Sequence, residues 1–132
     1  MIGAGLMGRR IAGLMGRAGL EVRIFDNDAG VLDEAVVIAR QMAPQARVQS
    51  DDSLAGAVSG VDFVLEAVVE QLDVKQQLFE EVSRVNATAI LASNSSVMPI
   101  TAISERASHP SRCVGTHFWN PPDLIPIVEV IR

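Results

Sequence analysis

Two residues in the last part of the chain, His117 and Glu129, are of the types that remove protons from substrates. His117 lies at the carboxyl end of a predicted strand over residues 114–118, and Glu129 follows twelve residues later within another, 127–131. Two strands that run out and back bring such side chains together, and a histidine oriented by a carboxylate is the usual base for a hydroxyl proton. The alternatives are a structural His117 and a Glu129 that faces water on an edge strand. If instead 127–131 is buried on both faces, an unpaired carboxylate there would be costly.

A run of polar residues follows a third predicted strand, 88–92. Residues 93–96 read Ser-Asn-Ser-Ser, at the sheet edge where open α/β sheets bind their ligands. Their side chains suit a ribose or a substrate oxygen. The alternative is a cluster that caps the next helix.

The start of the chain has the spacing of a dinucleotide-binding turn. Residues 3–8 read Gly-Ala-Gly-Leu-Met-Gly and open a helical pattern. Gly3 permits the tight turn, Gly5 lets a pyrophosphate approach the backbone, and Gly8 lets the helix pack close to the sheet. The free amides and positive dipole end of the helix favour phosphates. Asp26, 18 residues beyond Gly8, stands where an acid accepts hydrogen bonds from the adenosine ribose.

These segments belong to an alternating series of helices and strands. Predicted helices cover residues 6–18, 29–42, a brief stretch ending at 58, 74–85 and 100–107, and predicted strands cover 21–26, a short one at 48, 61–69, 88–92, 114–118 and 127–131. We expect Asp51 or Asp52 to cap the brief helix and Asp73 to cap the one after it. The pattern predicts an α/β fold of the Rossmann type, with a doubly wound, mainly parallel sheet and helices on both faces.

Composition limits the partners that we expect. The 132 residues are 48% hydrophobic, enough for one domain with a core, and the net charge of −5 argues against nucleic acid or an anionic membrane surface. The apolar runs are too short to span a membrane. A lone cysteine, Cys113, suggests the reducing cytoplasm. Since only two residues precede Gly3 and the chain stops after an apolar run, we expect residues 1–132 to be one nucleotide-binding domain, incomplete at both ends, without its substrate domain.

On these motifs the sequence resembles the NAD-binding domain of the 3-hydroxyacyl-CoA dehydrogenase family. The segments that carry the resemblance are residues 3–8, Glu66-Ala67-Val68-Val69-Glu70 with Lys75, residues 93–96, and residues 115–122 through 128–130. It implies that His117 is the catalytic base, Glu129 its partner, and Ser96 a hydrogen-bond donor to the substrate oxygen. It also implies that NAD is lined by Gly3, Gly5, Leu6, Met7, Gly8, Asp26, Ala67, Val68, Glu70, Lys75 and Asn94.

The implied reaction is oxidation of a secondary hydroxyl to a ketone, with hydride transfer to NAD. Asp26 favours NAD over NADP because its carboxylate repels a 2′-phosphate, and the next residues, Asn27 and Asp28, offer no arginine to receive one. The family has a second, helical domain that supplies a further catalytic asparagine and the dimer interface. We therefore expect little activity from this chain alone, and an exposed apolar surface that promotes homo-oligomers.

One departure from the family leaves the substrate open. Members that use acyl-CoA usually carry a long helical hairpin between the second and third strands, and the span from Asp26 to Val61 is too short for it. The expected substrate is therefore a 3-hydroxyacyl-CoA or, alternatively, a small non-CoA alcohol or hydroxy acid. A third hypothesis is a nucleotide-binding module without chemistry of its own.

Overall fold

The computed structural model describes all 132 residues and confirms the alternation of helices and strands. The helices are α1 (Leu6–Arg17), α2 (Ala29–Met42), α3 (Leu54–Val58), α4 (Leu72–Val85) and α5 (Ile100–Ile103), with short 3₁₀ helices at Ser104–Arg106 and Pro110–Arg112. The strands are β1 (Val22–Ile24), β2 (Val48–Ser50), β3 (Phe63–Glu66), β4 (Ile90–Ser93), β5 (Cys113–Phe118) and β6 (Val128–Ile131). Each predicted element is therefore present, and most strands are shorter than predicted.

The sheet is mainly parallel and is joined at its centre by the first three residues. β1 pairs with β2, and β3, β4 and β5 pair in that order, all parallel. Ile2 forms parallel bridges to Phe25 on one side and to Glu66 on the other. The strand order is thus β2, β1, residues 1–3, β3, β4, β5, with β6 added antiparallel at the edge. The strand order reverses at residues 1–3, because β1 and β2 lie on one side and β3, β4 and β5 on the other, and this switch point is where such sheets open a ligand crevice.

Helices cover both faces of the sheet, as predicted. Val64 packs with Phe79 and Val82 of α4, whereas its neighbour Leu65 packs with Ile11 of α1. Successive residues of a strand point to opposite faces, so α1 and α4 lie on opposite sides of β3. No helix is both long and apolar enough to cross a membrane.

The predicted cap of α3 is wrong. Ser53, and neither Asp51 nor Asp52, caps this helix, because its hydroxyl accepts a hydrogen bond from the Gly56 amide at 3.0 Å. Asp51 instead accepts from the backbone amide of Ser53 at 3.2 Å. The carboxylate thus stabilises the turn that leads into the helix.

The predicted cap of α4 is also wrong. The helix begins at Leu72, and its N-cap is Gln71, which makes no side-chain capping bond. Asp73 lies inside the first turn, where a carboxylate stabilises the helix through its dipole without capping it.

β6 is an edge strand, and all four of its residues are exposed. A strand buried on both faces is therefore excluded, and the edge position of the alternative is confirmed, with the Glu129 side chain about half exposed. The hairpin of β5 and β6 also carries an exposed apolar surface, formed by Trp119, Leu124, Ile127, Val128, Val130 and Ile131.

Candidate cofactor and active site

Two glycines in the turn between residue 2 and α1 have no room for a side chain. Gly3 has a φ of +89°, and a Cβ there would lie 2.6 Å from the Ala67 carbonyl oxygen. A Cβ on Gly8 would lie 1.8 Å from the Gly3 carbonyl oxygen. Both contacts are with backbone, which cannot move aside without opening the turn. The predicted roles of these two glycines therefore match the geometry.

The third glycine of the turn, Gly5, faces open space. A Cβ there would meet no atom within 4 Å. The amides of Gly5, Leu6 and Met7 have no hydrogen-bond acceptor within the chain. Unsatisfied amides at a helix N-terminus together with an unobstructed glycine suit a bound phosphate. The turn thus fits the pyrophosphate of a dinucleotide.

Asp26 holds the glycine turn and still has hydrogen-bonding capacity. Its Oδ2 accepts from the Ala4 amide at 2.7 Å, and its Oδ1 accepts from the Asp28 amide at 3.0 Å. A carboxylate offers about four acceptor sites, so two remain for ribose hydroxyls. Asp26 borders a cleft of about 600 Å³, whose wall also includes Gly3, Gly5, Asn27, Ala67, Val68 and Val69.

Behind this cleft lies a buried ion pair between Glu66 and Lys75. Glu66 Oε1 accepts from Lys75 Nζ at 2.6 Å and from the Val68 amide at 2.7 Å, and both charged side chains are 1% exposed. Lys75 Nζ also lies 3.1 Å from Glu70 Oε2. Lys75 therefore does not reach the cleft surface, unlike its predicted place along the cofactor. Glu70 is 40% exposed and stands between the buried pair and solvent.

Residues 93–96 do not cap the next helix, because the N-cap of α5 is Pro99 and no side chain makes a capping bond there. Ser95 caps the local turn by accepting from the Met98 amide at 3.0 Å, and its hydroxyl also donates to Glu70. Asn94 Oδ1 accepts from the Phe118 amide at 2.9 Å, which joins this loop to the end of β5. Ser96 is exposed and has no hydrogen-bond partner, so its hydroxyl is free for a ligand.

His117 and Glu129 form the predicted contact. They lie directly opposite each other in the antiparallel pairing of β5 and β6, and His117 Nδ1 is 2.7 Å from Glu129 Oε2. The hydrogen bond from His117 holds the pKa of Glu129 below its usual range. Trp119 Nε1 also donates to this carboxylate, at 3.4 Å. With Nδ1 engaged by Glu129, the other ring nitrogen of His117 is left to accept a proton.

The loop between β5 and β6 is tied to the helix that begins at the glycine turn. Arg10 of α1 donates to Asp123 Oδ1 at 2.6 Å, and this hydrogen bond lowers the pKa of Asp123. The hairpin that carries His117 and Glu129 therefore has a direct contact with the helix of the cofactor turn.

Together, the reversal of strand order at residues 1–3, the open glycine turn and Asp26 define a dinucleotide-binding domain of the Rossmann type. The family comparison agrees. The chain matches the family of the 3-hydroxyacyl-CoA dehydrogenase NAD-binding domain over residues 1–47 and 38–132, and it belongs to that family. Its cofactor is NAD.

Curated relatives of the chain act on two kinds of substrate. It is 33% identical to the 5-formyl-3-hydroxy-2-methylpyridine 4-carboxylate 5-dehydrogenase of Mesorhizobium japonicum, covering 99% of this chain and 47% of that protein. It is 34% identical to a 3-hydroxybutyryl-CoA dehydrogenase of Mycobacterium tuberculosis, covering 100% and 52%. The chain thus spans about half the length of the curated relatives it matches.

The solved structures agree with these relatives. A crystal structure of the pyridine carboxylate dehydrogenase, described as an NAD⁺-dependent dismutase, superposes with a TM-score of 0.88 at 32% identity, over 98% of this chain and 46% of that one. The 3-hydroxybutyryl-CoA dehydrogenase of Escherichia coli gives the same TM-score at 28% identity, over 98% and 31%. The fold therefore does not separate the two kinds of substrate.

Proposed function

We propose that this chain is the cofactor-binding part of a dehydrogenase that oxidises a secondary hydroxyl to a ketone, with His117 as the base. The observation that carries the proposal is the 2.7 Å contact between His117 Nδ1 and Glu129 Oε2, formed at the carboxyl end of β5. A carboxylate acceptor keeps the proton on Nδ1 and so leaves a lone pair on Nε2. The His117 side chain is 24% exposed, so a substrate hydroxyl can approach it.

The steps of the proposed reaction are assigned to His117, Glu129 and Ser96. His117 Nε2 takes the hydroxyl proton, and Glu129 stabilises the positive charge that then forms on the ring. Ser96, with its free hydroxyl, hydrogen-bonds the substrate oxygen as it becomes a carbonyl. A bound NAD would supply the acceptor for the hydride that leaves the carbinol carbon. Because the glycine turn and Asp26 bind its pyrophosphate and adenosine ribose, this chain orients the cofactor as well as supplying the base.

The leading substrate class is a 3-hydroxyacyl-CoA, the class in the family's description. A specific observation favours the alternative, a small non-CoA alcohol or hydroxy acid. Between β1 and β3 the chain has only α2, β2 and α3. This connection has no room for the long helical hairpin that members using acyl-CoA usually carry there, so it lacks surface that could hold a CoA.

Fusions to the uncovered part of each relative test both the reaction and the substrate. One fusion joins residues 1–132 to that part of the Mycobacterium enzyme and is assayed with 3-hydroxybutyryl-CoA. The other uses the Mesorhizobium enzyme and its formyl-pyridine substrate, whose hydrated formyl group would present a hydroxyl to His117 and be oxidised to a carboxylate. We expect NADH formation in at least one fusion, and a fall of about 10²-fold or more in kcat when His117 is replaced by Gln.

Each result decides one part of the proposal. Turnover by the first fusion supports the acyl-CoA class, and turnover by the second alone supports the small substrate. An unchanged rate in the His117→Gln fusion would refute the base assignment. NADH formation by neither fusion, with NAD bound by both, would favour a nucleotide-binding module without chemistry of its own.

The proposed setting is the cytoplasm, and the proposed assembly is a homo-oligomer. Cys113 is the only cysteine, and burial raises the pKa of its thiol to about 11. A thiol of this kind is largely protonated at neutral pH and unreactive. The cytoplasm is proposed because a lone cysteine forms no disulfide within the chain, as is usual in a reducing compartment. The exposed apolar residues of the β5–β6 hairpin supply a surface for association.

A further inference from the structure

The two halves of the cofactor occupy different parts of the crevice. The adenosine ribose belongs at Asp26, after β1, and the pyrophosphate at the glycine turn. The rest of a dinucleotide must then continue past the turn in the other direction, over the carboxyl ends of β3, β4 and β5. The nicotinamide half therefore lies beside two segments, residues 67–70 after β3 and residues 93–96 after β4, on the way to His117.

One buried carboxylate holds both of these segments. Glu66 Oε1 accepts from the Val68 amide at 2.7 Å, which fixes the segment after β3. Glu66 Oε2 accepts from the Ser93 hydroxyl at 2.7 Å, and Ser93 Oγ in turn accepts from the Ser95 amide at 3.2 Å, which fixes the segment after β4. Glu66 itself is 1% exposed, so it cannot touch a ligand.

Lys75 balances the charge of the Glu66 carboxylate and links it to Glu70. Its ammonium contacts Glu66 at 2.6 Å and Glu70 at 3.1 Å. Glu70 accepts a hydrogen bond from the Ser95 hydroxyl. The contacts therefore form a closed ring that joins the end of β3, α4 and the loop after β4. Buried polar networks in which every member is satisfied hold a single arrangement.

We propose that Glu66 is a positioning residue for the nicotinamide half of NAD, acting through Val68, Ser93 and Lys75. Glu66 fixes the two segments, residues 67–70 and 93–96, between which the nicotinamide half binds. The adenosine half is bound by Asp26 and the glycine turn, with which the Glu66 side chain makes no hydrogen bond. This inference rests on the proposed orientation of the cofactor. The sequence signal is an acid at the end of an apolar run, followed nine residues later by a lysine.

Two ligands distinguish the two halves of the cofactor site, because NAD occupies both halves and ADP lacks the nicotinamide half. Calorimetric titration of the chain with NAD and with ADP compares wild type with Glu66→Gln and Ser93→Ala. Glu66→Gln keeps the shape of the side chain, and Ser93→Ala removes only the hydroxyl link. We expect the Kd for NAD to rise about tenfold in each variant while the Kd for ADP stays within about twofold. Glu80→Gln, which breaks the exposed contact with Arg84 at 2.7 Å on α4, should leave both constants unchanged.

Equal weakening of NAD and ADP would overturn the proposal, since it would mean a general loss of the fold, and unchanged NAD binding in both variants would overturn it as well. If Glu66→Gln does not fold, Ser93→Ala decides. If wild type binds neither ligand, the proposed function fails, and amide hydrogen exchange still decides the positioning role. Faster exchange in 67–70 and 93–98 of the Ser93→Ala variant would support it, and unchanged exchange would refute it.

Discussion

At the scale of single residues, the site depends on carboxylates that differ in burial. Glu66 is enclosed and paired with Lys75, whereas Glu129 is exposed and receives a hydrogen bond from His117. Asp26 lies between these extremes and holds the glycine turn through the Ala4 amide. The type and spacing of Asp26, His117 and Glu129 are visible in the sequence. Glu66 could have been found as well, because an acid ending an apolar strand needs a partner if it is buried.

The His117–Glu129 contact predicts a specific dependence on pH. The hydrogen bond lowers the pKa of Glu129 in the folded chain, so the stabilisation is fully present above the ordinary glutamate value of 4.5 and is lost as pH falls through the lowered pKa. In His117→Ala, we expect the Glu129 pKa to rise toward 4.5, and incompletely, because Trp119 still donates to the carboxylate. Carbon-detected NMR titration of the glutamate carboxyls measures this shift. A Glu129 pKa that is the same in both proteins would contradict the contact.

At the scale of elements, the order of helices and strands could be predicted, and several of their ends could not. α2 was predicted at its observed bounds, 29–42, from its apolar stripe and the proline that follows it. Its N-cap, Asp28, which accepts from the Gly30 and Val31 amides, was found only in the structure. α4 begins without a side-chain cap, so no residue type marks its start. The exposure of β6 could not be predicted either, because an apolar segment can form a strand in the middle of a sheet or at its edge.

Substitution by alanine should lower the stability of the fold at Gly8, whereas at Gly5 it should abolish NAD binding and leave the stability unchanged. Gly8→Ala places a Cβ against the Gly3 carbonyl, so we expect a loss of about 3 kcal/mol or more in the free energy of unfolding, roughly 10 °C in Tm. Gly5→Ala meets no atom of the protein, so Tm should stay close to wild type while NAD binding is lost to the obstructed pyrophosphate. Thermal unfolding and NAD titration of both variants measure the contrast. Equal losses of Tm would contradict these assignments.

At the scale of the whole molecule, the hairpin at the edge of the sheet leaves the chain with an uncovered apolar surface. Val130 is 67% exposed and Leu124 is 74% exposed, and an edge strand offers unpaired backbone groups beside them. An exposed apolar surface was expected from the sequence, where the family's second domain would pack. Its location on the hairpin follows only from the folded structure, because the antiparallel pairing of β6 decides which side chains face outward.

This surface predicts self-association of the chain. Sedimentation velocity over a wide range of concentrations should show the weight-average mass rising with concentration. Val130→Lys should shift the chain toward monomer, because a charge on an edge strand opposes pairing. Val37→Lys makes the same substitution at an exposed valine of α2 and should leave the association intact. A wild-type chain that is monomeric at every concentration would contradict the prediction.

Every functional assignment depends on the glycine turn and Asp26 holding NAD in the orientation described. The most direct test is calorimetric titration of the unmodified chain with NAD and then with NADP. We predict saturable binding of one NAD for each chain and a clear preference over NADP, because the Asp26 carboxylate repels a 2′-phosphate and Asn27 beside it offers no positive charge. Absence of NAD binding, or equal affinity for the two cofactors, would contradict the account at its centre.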